Sequence, residues 1–265
     1  MNSKRVYSVI LVLLFSLSSF GDDVNNNGNA SKVGIVELMY NCMDLPSGDG
    51  FILTIPGMGL IYCDEGVLVP LDTIKCPEID NIYLKPNIIY DDIIASGKYL
   101  FVKSGNSVVK LDEDRTSSIV QFDTDFFQLY RGNDTCLNVV IPEDNGYWVW
   151  YQINLTNNEL ESKFSTSEPI IKVIDLDDKV ILVTEDVIYL YDEEQLIEYV
   201  ESPEIIVDAI YTSEGLFFCT DNSLYLVDNT GVLLSLAQLP MYSLYYDYGV
   251  VYIVLQNGDI FRMSV

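Results

Sequence analysis

The feature that most constrains this chain is a strand-hairpin unit that recurs six times. It reads LIYCDEGVLVPLD (60–72), YLFVKSGNSVVKLD (99–112), LNVVIPEDNGYWVWYQI (137–153), VILVTEDVIYLYD (180–192), LFFCTDNSLYLVD (216–228) and VVYIVLQNGDIFRM (250–263). The first residues of successive units lie 39, 38, 43, 36 and 34 positions apart. A period near forty made of short strands marks units that bury their two faces only by stacking on neighbours. Turn dipeptides such as Ser104-Gly105, Asn145-Gly146 and Asn257-Gly258 separate the strands, and Asn-Gly favours the positive φ angles of tight hairpins.

Each unit parses as four strands. The pattern therefore predicts an all-β fold: a six-bladed β-propeller with four-stranded blades over residues 32–265. The last unit ends with the chain, one strand short, and KVGIVELM (32–39) is expected to supply the missing outer strand. Closing the last blade with the N-terminal strand protects the edges that an open ring would leave.

The units GLFFCTDNSLYLVD and GKYLFVKSGNSVVKLD resemble the repeats of six-bladed propellers of the NHL and YWTD type, and the regulator-type propeller repeat. The YWTD tetrapeptide is replaced by IYCD (61–64) and FCTD (218–221). The resemblance implies architecture and a tendency to bind proteins or glycans, and it carries no catalytic residue.

Residues 1–21 combine Lys4 and Arg5, an apolar run too short to span a bilayer, and Ser19-Phe20-Gly21. That is the layout of a cleaved secretory signal peptide. The Asn-rich stretch 22–31 follows as a flexible leader. The mature protein is expected to be secreted, periplasmic or otherwise extracytoplasmic, without membrane insertion, and monomeric.

The formal net charge is −26, which repels nucleic acid and anionic lipid surfaces. A cation, a basic protein surface or a neutral glycan remains attractive. No histidine is present, which removes the usual base of Ser or Cys triads and the commonest metal-binding nitrogen. Five scattered cysteines form no disulfide scaffold, and Cys63, Cys136 and Cys219 fall in separate blades.

Polar residues on the innermost strands should face a central channel. They are Asp92, Asp125 or Gln128, Lys172, Asp208 and Ser243. Asp92 and Asp208 are expected to face across the channel with Lys172 near one of them. Oxygen ligands from Asp92, Asp125 and Asp208 suit Ca2+, and six-bladed lactonases with a channel calcium supply the fold-level analogy for a hydrolase. The bland alternative is a solvated lining. Trp148 and Trp150 share one face of a strand and are candidates for stacking on a ligand, or else for blade core. The leading expectation is a non-catalytic propeller that binds a protein or glycan partner through rim loops, with no catalytic residue and no obligatory cofactor.

Overall fold

The structure is a computed structural model that describes residues 36–40, 51–55, 59–64, 67–71, 91–96, 99–111, 116–176, 179–192 and 195–265. The expected signal peptide and leader lie outside the described residues, as do Cys42 and Cys76.

Every described element is a strand. β1 (Val36–Tyr40) comes first, and β2 (Phe51–Ile55), β3 (Gly59–Asp64) and β4 (Val67–Pro70) form a three-stranded sheet. Then come four sheets of four consecutive strands. The first of these holds β5 (Asp92–Ser96), β6 (Tyr99–Ser104), β7 (Ser107–Leu111) and β8 (Thr116–Gln121). The next holds β9 (Gln128–Arg131), β10 (Cys136–Pro142), β11 (Trp148–Asn154) and β12 (Leu160–Thr166). It is followed by β13 (Ile170–Leu176), β14 (Lys179–Thr184), β15 (Val187–Asp192) and β16 (Gln195–Glu201). The last of the four has β17 (Ile206–Thr212), β18 (Gly215–Thr220), β19 (Ser223–Asp228) and β20 (Leu233–Gln238). Finally β21 (Met241–Asp247), β22 (Val250–Leu255) and β23 (Ile260–Ser264) pair in sequence, and β1 adds antiparallel to β23 as the fourth strand.

The closure by the N-terminal strand is as the sequence predicts. It pairs Val36 with Met263 and Glu37 with Arg262. The blade composition is corrected: among the described residues five sheets have four strands, and the sheet of β2, β3 and β4 has three. β4 is short and ends at Pro70. At the seam between the ends of the chain, the buried Gly59 N–H donates to Asp247 Oδ2 at 2.9 Å.

The middle strands are buried on both sides because they lie between sheets. β18 (GLFFCT) is buried at every position, and alternate residues serve different neighbours. Phe217 and Cys219 pack toward Leu244 and Ile253, while Leu216 and Phe218 pack toward Ile181 and Ile188. Period-two alternation thus feeds two inter-sheet cores at once. Gly215, at φ +131°, opens this strand against a neighbour: a Cβ there would lie 2.2 Å from Val227 O.

The first strand of each sheet lies innermost. β2 neighbours β5, β5 neighbours β9, and so on through β13 and β17 to β21, which returns to β2. Their arrangement places one face of every sheet's first strand around a common axis.

Candidate functional site

A central channel of about 1410 Å³ is bordered by side chains of β2, β5, β9, β13, β17 and β21. Near one mouth it carries a polar layer set by register. Asp92 pairs with Lys103, Lys172 with Val183, Asp208 with Cys219 and Ser243 with Val254. Each partner lies close to the turn into the third strand of its sheet, so the four residues occupy equivalent heights. On β13, β17 and β21 the ladder shifts just before this position, between Ile170 and Lys172, Ile206 and Asp208, and Met241 and Ser243. A bulge of this kind re-aims the side chain that follows it.

Asp208 is the hub. Its Oδ1 accepts from Lys172 Nζ at 2.9 Å and from its neighbour Ala209 N at 2.9 Å, and its Oδ2 accepts from Leu244 N at 2.8 Å. One carboxylate thereby joins β13, β17 and β21, and charge-assisted bonds of this kind are the strong ones. Asp92 is less well compensated. Its Oδ1 accepts from Ile93 N at 2.8 Å, and burial pushes its pKa up to about 6 against the pull of that bond, Lys172 and Lys103. Lys103 is committed elsewhere, donating to Phe127 O at 2.8 Å with its ammonium 4.7 Å from the Phe127 ring.

Two tyrosines complete the layer. Burial keeps the phenols of Tyr130 and Tyr245 protonated well beyond the usual range, and the charges of both Asp208 and Asp92 reinforce this. Tyr130 donates its hydroxyl to Ile171 O at 2.7 Å. Among the described residues Ser243 Oγ is buried without a hydrogen-bond partner.

Lys172 bonds to Asp208, and both line the channel with Asp92. Asp125 does not: it is exposed in the turn before β9, its carbonyl accepting from Phe127 N at 3.2 Å, because β9 begins only at Gln128. Of the two readings the sequence offers for Trp150, the structure places it in the core. The residue is 1% exposed, its Nε1 donates to Asn138 Oδ1 at 2.9 Å, and its ring meets Tyr191 edge-on at 5.1 Å. Trp148 is half-buried in the same cluster between two sheets. Among the described residues no three His, Cys, Asp or Glu side chains converge as metal ligands. Cys136 and Cys219 are free, and burial pushes both thiols up.

Sequence reasoning missed Tyr130 and Tyr245, although a signal was present. Tyr245 lies two residues beyond Ser243 and Tyr130 two beyond Gln128, so each shares a strand face with a polar channel position. It pointed to rim loops without naming their exposed apolar side chains. Phe126 is 74% exposed, Tyr242 67% and Ile205 58%. They sit at or just before the starts of β9, β21 and β17, which places them at the mouth nearest the polar layer.

Fold and channel together define a β-propeller. No protein-family model matches the chain, and none of the curated proteins matches it. Solved structures do. The chain is similar to virginiamycin B lyase from Staphylococcus aureus, in its catalytically inactive form with Quinupristin, at a TM-score of 0.58 and 11% identity over 83% of each chain. It is similar to the extracellular domain of a one component system from B. thetaiotaomicron, at 0.54 and 14%, covering 80% of this chain and 32% of that one. TolB from Acinetobacter baumannii gives 0.52 and 11%, over 82% and 63%. At these identities the likeness shows the fold alone.

Proposed function

We propose that the protein is a secreted or periplasmic, non-catalytic propeller that binds a protein or glycan partner through the loops of one rim. The observation that carries this reading is the set of large apolar side chains, Phe126, Ile205 and Tyr242, left in water around one mouth of the channel. Large apolar side chains exposed around one opening offer a partner surface to bury. The extracytoplasmic setting is supported by the signal-peptide layout of residues 1–21, and two of the similar structures are an extracellular domain and TolB.

Catalysis has little to stand on. The sequence has no histidine, and both described thiols are buried and held protonated. A calcium-dependent hydrolase would need Asp92, Asp125 and Asp208 together. Asp125 lies outside the channel, and Lys172 already neutralises Asp208, so the layer fits a dication poorly.

Pull-down from the producing organism's envelope with the wild type and with Phe126→Ala/Tyr242→Ala tests the reading. A partner retained by the first and lost by the second, with unchanged melting temperature, supports it. A partner held equally by both contradicts the rim as the binding surface.

A further inference from the structure

On the face that carries the exposed aromatic rim, every charged loop or turn among the described residues is acidic, and the two properties together specify a partner. In every sheet the first strand runs from this face, so the loops entering the first strands and the turns between second and third strands all gather here. Those segments bring exposed Asp123 and Asp125 before β9, Glu168 before β13, Asp186 in the β14–β15 turn, Glu204 before β17 and Asp221 in the β18–β19 turn. Among the described residues, none of these loops and turns contains a lysine or arginine. The two cations close to the mouth are already engaged, Lys172 with Asp208 and Lys103 with Phe127 O. The opposite face has acidic turns as well, with Asp134, Glu159 and Glu214, but there Arg131 and Lys179 at strand ends offset them.

We infer that this face docks a basic segment of a protein partner, with lysine or arginine side chains over the acidic turns and an apolar side chain seated between Phe126, Ile205 and Tyr242 at the channel mouth. This rests on the binding reading above and names the partner's chemistry. A ring of like charge around an apolar centre rejects acidic and phosphorylated surfaces by repulsion, and it draws a cationic segment in by long-range attraction. The apolar anchor then supplies desolvated contact at the centre, where binding energy concentrates. A neutral glycan could use the rings, but it would leave the exposed carboxylates without a counterpart.

The test uses the full mature chain and a fluorescently labelled lysine-rich peptide carrying leucine anchors. A glutamate-rich peptide with the same anchors and the neutral oligosaccharide cellohexaose are compared with it. Binding of the lysine peptide alone is expected, weakening about tenfold or more as ionic strength rises past physiological. Glu168→Lys/Asp186→Lys and Phe126→Ala/Tyr242→Ala should each weaken it by a similar factor, while Glu159→Lys on the opposite face should leave it unchanged. Circular dichroism and melting temperature confirm that each variant is folded. Equal binding of the acidic peptide, indifference to the rim variants, or no binding of the lysine peptide overturns the inference. If cellohexaose binds instead and Tyr242→Ala abolishes it, the basic partner is refuted while the rim remains the binding surface. If the rim variant keeps its envelope partner, the underlying reading fails as well.

Discussion

Lys172 Nζ lies 2.9 Å from Asp208 Oδ1, so the ammonium of one inner strand is fixed to the carboxylate of the next. Both side chains are mostly buried, at 28% and 12% exposure. The same carboxylate also accepts two backbone N–H groups, one of them from β21. The pair therefore fixes how three sheets are set against one another.

Removing one partner of such a pair should cost far more than removing both. Asp208→Ala is expected to lower stability by about 3–5 kcal/mol, because Lys172 is left charged and largely desolvated beside orphaned amides. Lys172→Met combined with Asp208→Asn should recover part of that loss. Urea unfolding of the single and double variants measures both values.

Asp92 should make stability depend on pH with a sign opposite to that of most carboxylates. Its pKa rises from 3.8 to about 6 on folding, so between those values the folded protein keeps a proton that the unfolded chain has released. Stability therefore falls as pH rises through that window, and above it the ionised form costs about 1–3 kcal/mol. Asp92→Asn should be more stable than the wild type near pH 7.5, and the difference should vanish near pH 4. Parallel denaturant titrations at the two pH values give the comparison.

Trp150→Phe removes the donor to Asn138 and leaves a buried amide oxygen short of a strong partner. A loss of about 1–3 kcal/mol is expected. Asn138 keeps a contact to Gln152 at 3.3 Å, which places the expected value below that of a full orphan. Chemical denaturation followed by far-UV circular dichroism avoids the fluorescence change that the substitution itself causes.

Asp247→Ala should loosen the seam between the two ends of the chain. The Gly59 amide loses its buried acceptor, at an expected cost of about 1–3 kcal/mol. Hydrogen exchange should show β3 opening before β10, whose sheet lies across the ring from the seam.

The repeat and the channel residues were legible because both follow from period two and from the spacing of units. Asp92, Lys172 and Asp208 stand out as charged residues in otherwise apolar inner strands, and register then puts them at one height. Asp125 misled because where β9 starts is decided by the turn that caps it, with Phe126 N bonded to Thr124 Oγ1, and not by hydrophobic pattern. The sequence pattern of Trp150 allows a stacking platform and favours core. Only the placement of the neighbouring sheet, with Tyr191 against the ring, decides between them. The acidic face is a property of turns from many units, and no single segment displays it.

The most direct measurement of the central claim is hydrogen–deuterium exchange of the full mature chain with and without the lysine-rich peptide. Added protection is expected in residues 121–128, 202–207 and 240–245, which enter the inner strands around the mouth. Protection confined to the turns at 212–215 and 228–231, or to the outer strands β16 and β20, would place binding away from the channel mouth and contradict the account.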